Sequence, residues 1–225
     1  MANDVEKEAA ARASLRYVKD GQIVGLGTGS TAAYFIQLLG EQVKNGLNVR
    51  AIPTSDRSRE QAASLGIPLT TLDEFQQIDV TVDGADEVDP QLRLIKGGGG
   101  ALLREKIVAS ATKQLVIVAD ASKRVPVLGK FPLPVEVIKF AQALITKRIE
   151  ALGAKVELRR DDTGKPFLTD ENNYILDCHF EKIRGADGLA NKLSDMPGVV
   201  EHGLFIGMAA VILVANGTEV AEFRR

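Results

Sequence analysis

A recurring switch of hydrophobic period constrains this chain most. Apolar runs at residues 22–26, 49–52, 78–82 and 114–119 each stop at a glycine, proline or aspartate. The first two lead into segments with apolar residues at helical spacing, opening at Ser30 and Arg57. A further run at 92–95 passes through Lys96 and four glycines into a helical pattern over 101–111. Strands alternating with helices predict a mostly parallel sheet with helices on both faces, a Rossmann-like α/β fold in which ligands bind beyond the carboxyl ends of the strands. After Phe131-Pro132-Leu133-Pro134 the pattern changes to a long helix over 137–152, short strands near 156–159, 167–169 and 174–179, and a helix over 187–193. That mixture predicts a smaller α+β domain, and the wholly apolar run at 208–214 is expected to return to the first sheet. The expected division is therefore an α/β domain from residues 1–130 and 206–225 and a small domain from 131–205.

Composition narrows the function classes. Hydrophobic residues make up 45% and charged residues 26% of 225, so the chain can bury a core and is not of a disordered or fibrous type. Lys+Arg 28 against Asp+Glu 30 leaves a net charge of −2, which supplies no electrostatic drive toward nucleic acid. A single cysteine, Cys178, cannot form an intramolecular disulfide, so a reducing compartment, the cytoplasm, is expected. Charged residues interrupt residues 1–13, which read as an amphipathic helix and not as a signal peptide. No run approaches the ~18 apolar residues of a membrane span, and no membrane partner is expected.

Three loops at strand ends invite chemistry. The first, Gly25-Leu26-Gly27-Thr28-Gly29-Ser30-Thr31, joins a strand to a helix start, where unpaired amides and the positive end of the helix dipole suit a phosphate. Ser30 stands where a dinucleotide fingerprint needs glycine, and no G-K-[ST] follows as in a P-loop. A plain tight turn with a helix cap accounts for the same residues equally well. The second, Asp83-Gly84-Ala85-Asp86-Glu87-Val88-Asp89, gathers carboxylates suited to acid/base work or, less readily, Mg²⁺, though not at calcium-loop spacing. Asp83 and Asp86 are expected to face the cleft, with Glu87 and Asp89 in solvent. The third, Lys96-Gly97-Gly98-Gly99-Gly100, costs chain entropy without packing, which makes sense where backbone amides touch a ligand. In the helix that follows, an apolar face of Leu102, Leu103, Ile107, Ser110 and Ala111 leaves Glu105 opposite, which on periodicity alone favours an exposed charge. Cys178, His179 and His202 show no nucleophile or metal spacing, and no metal site is expected. Lys7 and Lys123 are either surface charges or phosphate partners.

Taken with Ala119-Asp120-Ala121-Ser122-Lys123, Phe131-Pro132-Leu133-Pro134-Val135-Glu136 and Gly203-Leu204-Phe205-Ile206-Gly207-Met208, these blocks resemble type A ribose-5-phosphate isomerase in order and spacing. Two departures are Ala210, where the family often has aspartate, and the end at residues 221–225, which is no signature of the family. The resemblance implies interconversion of ribose 5-phosphate and ribulose 5-phosphate through an enediolate, in the non-oxidative pentose phosphate pathway, without metal or organic cofactor. It implies substrate contacts at Thr28, Gly29, Ser30, Thr31, Asp83, Gly84, Ala85, Asp86, Lys96, Gly97, Gly98, Gly99 and Lys123, with Lys7 as a further candidate. Glu105 becomes the proton-transferring base, and Asp83, with Asp86 and Lys96, the ring-opening group. The expected partner is a small sugar phosphate, and the expected assembly a homodimer or homotetramer. A sugar-phosphate sensor, a dinucleotide-dependent oxidoreductase and a sugar-phosphate deaminase are the rival classes; Glu105 and the loop aspartates speak against the first, the missing glycine against the second.

Overall fold

The computed structural model describes residues 2–225, so Met1, in the expected first helix, lies outside the described residues. Along the chain run α1 (Ala2–Ser14), β1 (Ile23–Leu26), α2 (Ser30–Lys44), β2 (Arg50–Pro53), α3 (Asp56–Ser64), β3 (Ile78–Gly84), β4 (Glu87–Val88), β5 (Leu94–Ile95), α4 (Leu102–Ser110) and β6 (Thr112–Asp120). The second half adds β7 (Leu133–Val137), α5 (Gln142–Glu150), β8 (Lys155–Leu158), β9 (Tyr174–His179), α6 (Ala186–Ser194), β10 (Val199–His202), β11 (Leu204–Phe205), β12 (Ala209–Asn216) and β13 (Glu219–Arg224). None of the described helices is long and apolar enough to cross a membrane.

The chain divides into two compact units. The first holds the residues up to Ala85, Arg104–Arg124 and Gly207–Arg225. Its sheet has the order β13-β12-β6-β3-β1-β2 and is parallel except for the edge pair of β12 with β13. Successive strand residues point to opposite faces, so the apolar runs bury both. Val24, Leu26, Val80, Val82, Val116 and Val118 meet Ala10 and Ala11 of α1 and Phe35, Ile36 and Leu39 of α2. Ile23, Ile52 and Ile78 join Val108 of α4 in a separate cluster. Each buried Val, Leu, Ile or Phe side chain among them stabilises the fold by about 1.5–3 kcal/mol relative to leaving it in water. The terminal residues 221–225 that carry no family signature are not a loose end: all but Arg225 belong to β13, and Ala210 sits at a register shift in β12 between Ala209 and Val211.

The second unit holds Asp86–Leu103 and Val125–Ile206. The division thus departs from the expected boundary, because β5 pairs with β11 and the Lys96 amide donates to the Gly203 carbonyl, which ties residues 86–103 to the later segment. A four-stranded antiparallel sheet has the order β10-β7-β9-β8, and a small sheet the order β11-β5-β4. The expected helix over 137–152 is a correction. Leu133, Val135 and Val137 alternate as a buried strand, and the helix proper starts only at Gln142 after a short 3-10 turn. Prolines at 132 and 134 hide that strand; Pro134 lies past the β10 ladder, which ends at Val135. The expected strand at 167–169 does not form, its nearest pairing being an isolated bridge between Arg160 and Pro166.

Glu87 and Asp89 also correct the reading. Both are buried: Glu87 accepts the Gly129 amide at 2.7 Å and the Phe131 amide at 2.6 Å, and Asp89 pairs with Arg93 at 2.6 Å. Each carboxylate has its own partners, which makes them pins of the second unit and not solvated charge. Glu87→Ala leaves two amides without their acceptor and should cost about 2 kcal/mol or more. Urea unfolding should show a lower midpoint with an unchanged slope; an unchanged midpoint would mean that Glu87 contributes nothing to the fold.

Candidate functional site

Because β1, β2, β3 and β6 run parallel, their carboxyl ends share one edge of the sheet. That edge presents the 27–31 loop, Thr54 and Ser55, Asp83 and Gly84, and the 3-10 turn Ala121–Lys123. The ends of β1 and β3 are drawn together by Asp83. Its side chain is 1% exposed, and its Oδ1 accepts the Thr28 amide at 3.1 Å and the Gly84 amide at 2.7 Å. A Cβ on Gly27 would lie 2.2 Å from that oxygen and 2.5 Å from the Asp83 Cα, so only glycine fits. Gly29, at φ 109°, then caps the 15-residue α2 with no side chain of its own, which leaves the helix start open at the edge.

The loop hydroxyls divide. Thr28 Oγ1 bonds Ser55 Oγ at 2.8 Å and lies 2.7 Å from Thr54 Oγ1, so it ties this loop to the end of β2. Ser30 is exposed at the helix start and Thr31 is buried in the first turn. Thr54 and Ser55 were not singled out from sequence, yet their place just after an apolar run at the same edge is the signal that finds them. Lys123 is half-buried in a turn capped by Asp120, whose Oδ1 accepts the Ser122 amide at 3.0 Å. Lys7 is half-buried on α1, a helix packed against β6 and β12, and the adjacent Glu6 accepts the Gly217 amide, just beyond the end of β12, at 3.1 Å.

Glu105 lies in the first turn of α4 and is 4% exposed. The buried stripe of that helix is Leu102, Glu105, Val108 and Ala109, whereas Ile107 is 44% exposed and Ser110 faces water. The expected apolar face was therefore rotated, and Glu105 sits on the inner side. The preceding Arg104 pairs with Asp56 at 3.0 Å.

In the second unit the glycine loop is a turn closed by the Gly100 amide on the Gly97 carbonyl at 3.0 Å. Gly98 donates its amide to Asp86 Oδ2 at 2.7 Å, and a Cβ there would fall 2.5 Å from Asp86 Oδ1. Lys96 is 2% exposed, with Nζ 5.4 Å from the centre of the Phe205 ring. Gly98 and Gly99 are exposed. Arg159, also missed from sequence, donates to this loop. Its signal is weak, since one arginine at a strand end looks like any other.

Cys178 is fully buried, and burial pushes its thiol well above the ordinary range, so it is no nucleophile. His179 is half-buried beside it, and His202 is buried with its Nδ1 accepting the Leu204 amide at 3.2 Å. Among the described residues no group of three or more His, Cys, Asp or Glu is placed to hold a metal ion.

Gly27→Ala is the sharpest probe of the sheet edge. The added methyl has to displace Asp83 or separate β1 from β3, so unfolding should occur at least about 2 kcal/mol more easily, the scale of overpacking at a buried site. Loss of phosphate affinity should accompany it. A variant with wild-type stability and binding would show that the contact of Gly27 with Asp83 organises nothing.

The family model for ribose 5-phosphate isomerase A (phosphoriboisomerase A) matches residues 50–219. The ribose-5-phosphate isomerase A of Parvibaculum lavamentivorans is 52% identical, covering 97% of this chain and 98% of its own. That of Rhodopseudomonas palustris strain BisB5 is 54% identical over 96% and 95%. Among solved structures, a D-ribose-5-phosphate isomerase in complex with phospho-erythronic acid superposes with a TM-score of 0.96 at 39% identity over the whole of both chains. Ribose 5-phosphate isomerase A from Methanocaldococcus jannaschii follows at 0.93, with 40% identity over 97% and 98%. With sequence and fold agreeing along its whole length, the chain belongs to the ribose 5-phosphate isomerase A family.

Proposed function

We infer that the protein is an aldose–ketose isomerase that interconverts ribose 5-phosphate and ribulose 5-phosphate, a step of the non-oxidative pentose phosphate pathway. The observation that carries the reading beyond family membership is a buried carboxylate, Glu105, in a chain whose sheet edge also presents an open helix start for an anion. A sensor would need the second and has no use for the first.

The chemistry follows from these groups. The amides of the first turn of α2, with Ser30 and Thr31, take the phosphate, and Lys123 adds a cation, as does Lys7. Asp83, with Asp86 and Lys96, opens the sugar ring by acid/base transfer between the ring oxygen and the anomeric hydroxyl. Glu105 then removes the C2 proton of the aldose and returns it to C1, while the enediolate charge is held by Lys96 and the amides of the glycine loop. Gly84 and Ala85 complete the substrate contacts. No metal or organic cofactor enters this scheme.

A homodimer or homotetramer is the assembly that fits. Phe140 is 98% exposed and Leu144, four residues on, 52%, which is the kind of apolar surface that a second copy covers. The single buried thiol suits a cytoplasmic setting.

Glu105→Gln keeps the size of the side chain but cannot accept the proton. Turnover should fall at least ~10²-fold, and deuterium incorporation from D₂O at the reacting carbons should fall with it, at near-normal thermal stability. Near-normal turnover would move the base role to Asp83 or Asp86. Unphosphorylated ribose should be a very poor substrate, because remote phosphate binding positions the reacting carbons. Equal kcat/KM for ribose and its phosphate would take the 27–31 loop out of the mechanism. Activity should survive a strong chelator; loss that Mg²⁺ or Mn²⁺ reverses would make the carboxylates metal ligands.

A further inference from the structure

The second unit contains an arginine that links a carboxylate to the glycine loop. Arg159 is anchored by Asp177 in a two-pronged pair: Nε donates to Oδ2 at 2.9 Å and Nη2 to Oδ1, with the two side chains 14% and 19% exposed. Its remaining arm, Nη1, donates to two successive carbonyls of the glycine loop, Gly97 at 3.0 Å and Gly98 at 3.1 Å. Phe167 lies 6.0 Å from the guanidinium and fills the space a Cβ on Gly100 would need, 2.6 Å from the ring edge.

Peptide planarity turns these contacts into a direction. In a trans peptide the carbonyl and the following N–H point opposite ways, and no peptide bond here is cis. Two consecutive carbonyls aimed at Nη1 therefore send the amides of Gly98 and Gly99 away from Arg159. The Gly98 amide is taken by Asp86 at 2.7 Å. The Gly99 amide, in an exposed stretch, points away from Arg159. Glycine has no side chain to hold such a loop, and without an external hold the four residues sample many directions.

We propose that Arg159, braced by Asp177, is a positioning residue that sets the direction of the Gly99 amide and, through the Gly98 amide, the seat of the Asp86 carboxylate. This rests on the isomerase reading for its kinetic consequence: a preorganised amide stabilises the enediolate charge more than the bound sugar, so its loss lowers kcat more than it raises KM. A lysine cannot replace the arrangement, since one ammonium cannot form the planar pair with Asp177 and reach two carbonyls.

The test compares Arg159→Met, Arg159→Lys, Asp177→Asn and wild type. Arg159→Met and Arg159→Lys should lose about 10²-fold in kcat, the scale of one misplaced oxyanion donor, with KM within about threefold. Asp177→Asn, which loosens the brace, should lose less. In a further variant, Arg159→Ala, which leaves room for a small cation, ethylguanidinium at millimolar concentration should restore part of the kcat, and ethylammonium should not. Amide hydrogen exchange in the protein without substrate reads the geometry separately: Gly98 should exchange faster in Arg159→Met while the β7 and β9 amides keep their protection. Unchanged exchange at Gly98, or kcat within about twofold of wild type in both Arg159→Met and Arg159→Lys, would overturn the proposal. Wild type inactive on ribose 5-phosphate but with the Gly98 effect present would instead overturn the isomerase reading and leave the loop hold standing.

Discussion

The close approach of Gly27 to Asp83 is the contact on which the sheet edge depends. A carboxylate buried beneath a glycine, accepting amides from both its own strand end and the neighbouring loop, fixes where β1 stops and where α2 begins. An ionised carboxylate out of water is costly unless several donors satisfy it, and here the backbone supplies them. Beside this contact α2 starts at Gly29 without a side-chain cap. Thr28 extends the arrangement sideways to Thr54 and Ser55 through hydroxyl bonds, and Ser55 in turn caps α3. One set of bonds thus orders the ends of three neighbouring strands.

In the second unit the problem is the reverse. Residues 97–100 have no side chains of their own, and their order is imposed from outside by Asp86, Arg159 and Phe167. Glycine permits backbone approach to a ligand only if something else removes its freedom. The carboxylates of this unit serve the same end, with Glu87 and Asp89 holding segments in place.

Much of this was legible in the sequence, for definite reasons. Buried parallel strands such as β3 and β6 read as apolar runs because both faces are covered, and the final apolar run pairs with β6 as expected. Glycine loops at strand ends were visible because packing alone does not explain them. What failed was whatever depends on a partner far along the chain. Glu87 looks like surface charge until the amides of Gly129 and Phe131 are placed on it, 42 and 44 residues away. The strand β7 was hidden by proline, and Glu105 by an assumption that a charge marks the outer face of a helix. Periodicity put Ile107 inside and Glu105 outside; the structure reverses both, and only the family resemblance had pointed to Glu105.

The central claim is that the start of α2 holds the phosphate and Glu105 meets the reacting carbons. A crystal structure of Glu105→Gln with ribose 5-phosphate bound tests it directly. Phosphate oxygens should lie within about 3 Å of the backbone amides at Gly29, Ser30 and Thr31, the ordinary hydrogen-bond distance, with the residue 105 carboxamide against C1 and C2. A sugar phosphate bound with its phosphate elsewhere, or with residue 105 far from both carbons, would contradict it.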